Sequence, residues 1–437
     1  MKHSRFVFLV VLVLLFGAGT NSAQTAKHYL ILAGSQGKGS TAFVANLGPA
    51  VTANLPSIGV VLATSADPGF ATWAKAQSGV QDVVEDFSIP WINHEQAIKA
   101  DKSSLVASGL NSEPYWGYQW NMTYIRADQS AALAQGAGAV VAVLDAGMIT
   151  THPDIAVNVN TGLARSFVPG EGVDPVIPGF NHGTHVAGII AAAINGIGTQ
   201  GVAPQATLVP VKVLSESSGS GEFGWVILGI DYASGPQVKA DVINMSLGAT
   251  FDRINAGGGG AGTLIAALNR AITAATARGT LVVSSAGNEG VNLDSRLWSI
   301  PAQSGNGMAV SALGPYNLAD FDRLASYSNY GQSVINLAAP GGDYASGNLA
   351  DYVLAAGGFD AKGKGKITYD YYFAVGTSMA APHVSGVAAL VVGKYGHHVL
   401  APAQIQSILQ GTAVDILKPG ADPQTGNGRV DALNAVR

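Results

Sequence analysis

Four positions along this chain carry the residue types that nucleophilic hydrolysis needs. Asp145 directly follows the apolar run Ala139–Leu144. The segment Asn181-His182-Gly183-Thr184-His185-Val186-Ala187-Gly188 opens a helical stretch, and so does Gly376-Thr377-Ser378-Met379-Ala380-Ala381-Pro382-His383. Asn288 stands in Ala286-Gly287-Asn288-Glu289-Gly290, just after the apolar run Leu281–Ser284. An acid, an imidazole, an amide and a hydroxyl are thus each placed where an element begins or ends. A serine hydroxyl attacks a carbonyl once a base takes its proton, and an imidazole oriented by a carboxylate is such a base. An amide N–H then holds the oxyanion. Each residue alone reads as a cap or a turn. The ordered set points to hydrolysis of the Ser-His-Asp kind.

These residues need elements to hold them. From about residue 121 to 437, short apolar runs alternate with helical stretches. Ala139–Leu144, Leu208–Val213, Val242–Met245 and Leu281–Ser284 are mostly apolar rather than alternating, as parallel strands covered on both faces are. Thr184–Ile194, Phe223–Ala233, Thr263–Arg278, Met379–Tyr395 and Pro402–Gly411 carry the helical pattern. Strand, helix, strand order implies right-handed crossovers and an α/β fold, a mostly parallel sheet with helices on both faces. Ligands in such sheets sit at the carboxyl ends of the strands. Segments 251–262 and 343–372 read as insertions.

The rest of the chain bounds the function. Of 437 residues, 48% are apolar and 12% charged, with a net charge of −5. That composition supports a large core and argues against disorder, a coiled coil or a nucleic-acid surface. Cysteine is absent, which excludes disulfides, thiolate metal sites and a cysteine nucleophile. Lys2 and Arg5, the apolar run Phe6–Phe16 and small residues to Ala23 have the pattern of a secretory signal peptide over 1–23. The run is too short to span a bilayer, which takes about 20 residues. A secreted chain with no stable membrane anchor after processing is expected, working as a monomer.

Residues 24–91 read as a small α/β unit with helices on one face of its sheet. Strands are expected at His28–Ala33, Ile58–Thr64 and Val80–Phe87, and helices at Ser40–Leu47 and from Asp67 to about Ala76. Residues 92–118 show no clear period and read as a linker. Residues 119–437 form the main domain.

His182 to Gly188 and Gly376 to Val384 are similar to two signatures of the subtilisin-like serine proteases, the subtilases. Asp145-Ala146-Gly147 resembles the third, with Ala146 in place of the usual hydroxyl residue. The likeness continues through Gly201–Pro204, Val211–Leu214, Asn244–Gly248, Ala286–Gly290 and Gly426–Ala432. The resemblance implies a subtilisin-like fold and a secreted serine endopeptidase acting on polypeptides. It assigns Ser378 as nucleophile, His182 as general base, Asp145 as its orienting acid and Asn288 as oxyanion donor. Gly219, Ser220 and Gly221 would face Ser246, Leu247 and Gly248 across an extended peptide. Ala286, Gly287 and Ser299 would line the primary pocket. A structural Ca2+ would be held by the side chains of Asp154 and Asn195 and the backbone carbonyls of Ala193, Ile197 and Thr199.

The resemblance also makes residues 24–91 an inhibitory propeptide in a self-processing zymogen, cut within 92–118. The alternative is a catalytically silent subtilisin-like binding protein. An α/β-hydrolase needs Gly-x-Ser-x-Gly and the order Ser, Asp, His. Here Ala380 takes the last place and the order is Asp145, His182, Ser378. The glycine fingerprint of a dinucleotide binder is also missing after the first long strand.

Overall fold

The computed structural model describes residues 25–34, 41–92, 97–105, 113–253, 260–362 and 366–437. The segment read as a signal peptide lies outside the described residues. Among the described residues no helix is long and apolar enough to cross a membrane.

The leading unit comprises β1 (Lys27–Ala33), α1 (Thr41–Leu47), β2 (Val51–Leu55), β3 (Val60–Ser65), α2 (Phe70–Lys75) and β4 (Val80–Glu85). Its strands form an antiparallel sheet in the order β2-β3-β1-β4. β2 was not expected, because Val-Thr-Ala-Asn-Leu is short and mixed. α2 begins later than expected: Asp67 Oδ1 accepts from Gly69 N at 2.8 Å and holds a turn ahead of the helix. Successive strand residues point to opposite faces, and β1 uses both. Tyr29, Ile31 and Ala33 pack with Phe43, Leu47 and Phe70 of the two helices. Leu30 and Leu32, with Val60, Leu62 and Val84, join a different core.

That second core belongs to the main domain. β5 (Ser88–Pro90) and β6 (Ala97–Lys99) come first, the latter inside the stretch read as a linker. Next are α3 (Trp120–Tyr124), α4 (Ala127–Ser130), β7 (Val140–Asp145), β8 (Arg165–Ser166), β9 (Gly179–Phe180) and α5 (His182–Ala191). β10 (Thr207–Lys212), β11 (Ser220–Glu222), α6 (Phe223–Ser234), β12 (Val242–Met245), β13 (Ala249–Asp252) and α7 (Ala261–Ala277) follow. The chain continues through β14 (Leu281–Ser285), β15 (Leu297–Ile300), β16 (Met308–Leu313) and β17 (Ile335–Pro340). It closes with β18 (Val353–Lys362), β19 (Lys366–Ala374), α8 (Thr377–Tyr395), α9 (Pro402–Gly411) and α10 (Ala432–Val436).

Seven strands make one parallel sheet in the order β17-β16-β14-β12-β7-β10-β8. Helices cover both faces, as expected. Val141 and Val143 of β7 pack with Val186 and Ile189 of α5 and Val384 and Val387 of α8. Ala142 and Leu144 turn the other way, toward Val226 and Ile230 of α6 and Leu264 and Leu268 of α7. The 343–372 insertion supplies most of the antiparallel hairpin β18–β19.

The leading sheet docks its second face on α6 and α7. Asp86 accepts hydrogen bonds from Phe223 N at 3.1 Å and Gly224 N at 2.8 Å, capping the start of α6. Arg270 of α7 donates to Ala33 O and Gln81 Oε1, both at 2.9 Å. His28 pairs with Glu222 at 2.8 Å. Burial pushes the Asp86 carboxyl up to about 7, and the two backbone bonds and His28 offset this only in part, while Glu222 adds to it. The docked state therefore holds a proton that the released unit gives up nearer the ordinary carboxylate range. This contribution is fully present below that range and is lost as pH rises through about 7. In the Ser378→Ala chain, amide protection factors at Phe223 and Gly224 should fall between about pH 5 and about pH 8. Asp86→Asn should flatten that fall. An equally steep fall in the variant would assign the pH dependence elsewhere.

Candidate active site

The carboxyl edge of the parallel sheet gathers the expected groups. Asp145 ends β7 and is buried. Its Oδ1 accepts from Ala146 N at 2.7 Å, so the alanine that replaces the usual hydroxyl residue still fixes the carboxylate through its backbone. His182 begins α5, whose cap is Asn181: Oδ1 accepts from Thr184 N at 2.9 Å. The cap points the first helical turn at the sheet edge, and His182 Nδ1 lies 2.9 Å from both Asp145 oxygens. An ionised carboxylate only accepts, so Nδ1 carries the proton and Nε2 is the basic nitrogen.

Ser378 lies in the first turn of α8. Its Oγ donates to Ser246 O at 3.3 Å, and Ser246 Oγ donates back to Ser378 O at 2.8 Å. This exchange ties α8 to the end of β12. Asn288 is tied to the same turn: its Oδ1 accepts from Thr377 N at 2.9 Å and Thr377 Oγ1 at 2.8 Å. With its oxygen committed, the Asn288 amide presents Nδ2 as a donor. A Cβ built on Gly376 would sit 3.6 Å from both Asn288 Nδ2 and Ser378 N. The two donors converge on a space that the glycine keeps open.

The edges expected to bind substrate are already paired with this chain's own residues. β11 runs antiparallel to β5, with Ser220 opposite Pro90 and Gly221 opposite Ile89. Trp91 N donates to Gly219 O at 3.0 Å, and Gly248 N donates to Trp91 O at 3.0 Å. Trp91 also donates Nε1 to Gly221 O at 2.9 Å. Residues 88–92 thus lie as a strand between Gly219–Gly221 and the Ser246-Leu247-Gly248 segment. Beyond residue 96 the chain pairs again: β6 is antiparallel to the end of β19, with Ala97 opposite Ala374 and Lys99 opposite Tyr372. β19 leads directly to Ser378.

In the pocket region Ser299 is buried and donates Oγ to Ala286 O at 2.9 Å. Gly287 has φ +102°, and a Cβ there would meet Asn329 Nδ2 at 2.4 Å. Among the other histidines, His185 and His383 are buried, and burial pushes them down to about 3 and about 4. His185 Nε2 is 2.9 Å from Tyr372 O and His383 Nδ1 is 2.8 Å from Met379 O. Both are packed neutral residues apart from the chemistry.

Around the expected calcium site, Asp154 is fully buried. Its Oδ2 accepts from Thr199 N at 3.0 Å and Thr199 Oγ1 at 2.6 Å, while Oδ1 is buried without a hydrogen bond. Ala193 N donates to Asp154 O at 2.7 Å. Asn195 Oδ1 accepts from Ile197 N at 2.9 Å. Burial pushes the Asp154 carboxyl well above its ordinary range, the Thr199 bonds pull against that, and Glu113 nearby adds to the rise. A buried acid with an orphaned oxygen beside a loop rich in carbonyls fits a hard cation. Glu113 was missed in the sequence. It is buried, and its carboxylate accepts from Gly196 N at 2.9 Å and Ile197 N at 3.0 Å. Its only signal was an acid in a segment of no pattern.

The arrangement has close counterparts. The profile of the Subtilase family matches residues 136–428. Subtilisin E of Bacillus subtilis is 40% identical over 344 residues, covering 77% of this chain and 73% of that protein. Among solved structures, a protease from Pseudoalteromonas arctica aligns at 32% identity with a TM-score of 0.61, over 75% of this chain and 98% of its own. The epidermin leader peptide processing serine protease of Staphylococcus aureus shares the fold across 94% of this chain and 98% of its own, at 21% identity and a TM-score of 0.72. By sequence and by fold, this chain is a member of the subtilase family, the subtilisin-like serine endopeptidases.

Proposed function

We propose that the protein is a secreted, self-processing zymogen whose Asp145, His182, Asn288 and Ser378 cut peptide bonds, beginning with its own. Ser378 Oγ gives its proton to His182 Nε2 and attacks the carbonyl carbon. Asp145 steadies the imidazolium that forms. Asn288 Nδ2 and Ser378 N hold the oxyanion at the start of α8, where the helix dipole favours negative charge. His182 then passes the proton to the leaving amine, which departs. Water, deprotonated by the same imidazole, releases the acyl group.

The observation that carries self-processing is the pairing of residues 88–92 and of residues 97–99. One strand pairs with the Gly219–Gly221 edge and the next pairs with the end of β19, the strand that leads to Ser378. The bond to be cut then follows Ile92 and precedes Ala97. A tethered substrate meets the nucleophile at high effective concentration. The leading unit, bound through α6 and α7, blocks the cleft until it is degraded. Secretion rests on the pattern of residues 1–23. Asp154 with Asn195, and the carbonyls of Ala193, Ile197 and Thr199, would hold Ca2+, which supplies rigidity to the loop and no chemistry to the reaction.

Three outcomes are expected. Expressed without other proteases, the Ser378→Ala chain should accumulate uncut, while the wild type yields a product that begins between residues 93 and 97 and ends at 437, about 341–345 residues. Trimming of the variant at the same place would assign the cut to another protease. Asn288→Ala should lower kcat far more than it raises KM, by about 10²–10³-fold, a magnitude borrowed from the corresponding amide of a subtilisin. Equal losses in both parameters would argue against an oxyanion role. Chelation should lower the melting temperature by mass action and speed autolysis. Asp154→Ala should remove that sensitivity, and melting curves unchanged by chelator would retire the calcium site.

A further inference from the structure

The hairpin that precedes the nucleophile holds two acids whose cations come from outside it. Asp370 lies on β19 with its side chain 3% exposed, and Asp360 lies on the facing strand β18. Lys99 Nζ is 2.7 Å from one Asp370 oxygen and also contacts Asp360. Lys102 Nζ is 2.9 Å from the other Asp370 oxygen and bonds Tyr369 O. Backbone pairing holds these lysines in register: Ile98 opposes Phe373, Lys99 opposes Tyr372, and Ala100 N donates to Tyr371 O at 2.9 Å. Burial works to raise the Asp370 carboxyl, and the two lysines outweigh it and hold it below the usual range.

A nearly buried carboxylate is stable as an ion only with a cation beside it. Here the cation arrives on an extended strand that runs downstream of the bond to be cut. We propose that the β18–β19 edge is a leaving-side binding site, with Asp370 as the residue that selects peptides carrying lysine or arginine beyond the scissile bond. The chain's own segment 97–102 is its first occupant, and basic polypeptide substrates are its later ones. This rests on the cleft reading above, in which the bond cut lies between β5 and β6.

The test uses peptides with the sequence of residues 86–104, one native and one with both lysines replaced by alanine. Lys99 and Lys102 remain with the processed chain and compete for the same carboxylate, so the enzyme is the processed K99A/K102A protein. It should cut the native peptide with a kcat/KM about tenfold above that of the alanine peptide. Asp370→Asn in the same background should bring that ratio close to one, and Asp370→Glu should restore part of it. In the full-length chain, Asp370→Asn should slow self-cleavage about fivefold when Lys99 and Lys102 are present and have little effect when both are alanine. A ratio near one before Asp370 is changed overturns the proposal. So does a ratio that survives Asp370→Asn, which would make Asp370 a structural residue only. Failure to cut either peptide overturns the cleft reading itself, and the proposal with it.

Discussion

Because the seven central strands run the same way, their carboxyl ends share one edge, and the whole site hangs from that edge. β7 delivers Asp145 there, β12 runs on into Ser246, and β14 runs on into Ala286-Gly287-Asn288. Crossover connections bring helix starts to the same place, so His182 and Ser378 occupy first turns rather than helix middles. Helix starts carry unsatisfied N–H groups and a partial positive charge. Asn181 satisfies some of these at α5. At α8 the Asn288 oxygen takes Thr377 N, and Ser378 N remains aimed at the space beside Gly376. One topological rule thus brings Asp145, His182, Asn288 and Ser378 to one edge of the sheet.

The leading sheet follows a second constraint. Its helices cover only one face, so Leu30, Leu32, Val60, Leu62 and Val84 would otherwise meet water. Each such side chain contributes about 1.5–3 kcal/mol when buried. The half-exposed pair Lys27–Glu85 is screened by solvent and adds little beside that. Apolar docking on α6 and α7 therefore sets the unit's position, and polar groups such as Asp86 and Arg270 refine it. Once β4 ends on that surface, the next residues have little choice of path. They run on as β5, paired with β11, and the missing Cβ of Gly221 lets β11 lie close against Val213. A Cβ on Gly221 would lie 2.6 Å from Val213 O.

How far this was legible in the sequence varies with the kind of interaction. The long apolar runs gave β7, β10, β12 and β14 to within a residue or two, and the signature segments gave both functional helices, because local pattern decides those elements. β16 and β17, Met308–Leu313 and Ile335–Pro340, were passed over although both are apolar, since turns and glycines around them hide the strand-helix rhythm. The hairpin β18–β19 was seen only as an insertion. Its partner β6 was read as linker, because Ala-Ile-Lys has no pattern until β19 offers an edge. Trp91, at the end of the leading unit, and Glu113, within the linker, were likewise given no role. Each is specified by a contact distant in sequence, Trp91 with Gly219–Gly221 and Glu113 with the 196–197 backbone.

The buried acids show how the same physical cost is put to different uses. Asp145 is compensated within the domain, by His182 and the Ala146 N–H, so it stays committed to orienting one ring. Asp370 is compensated by lysines on a strand that pairs with the hairpin edge and belongs to neither hairpin strand. Asp154 receives the Thr199 N–H and O–H on one oxygen and a further bond from the Tyr371 hydroxyl, and burial still leaves its carboxyl well above the ordinary range. A fixed partner makes a rigid pair. A partner that arrives with a peptide makes a group whose charge is balanced only when the edge is filled. A carboxylate held only by neutral donors among the described residues keeps its pKa high. Burial sets the same demand at all three positions, and the source of the compensating charge decides what each one does.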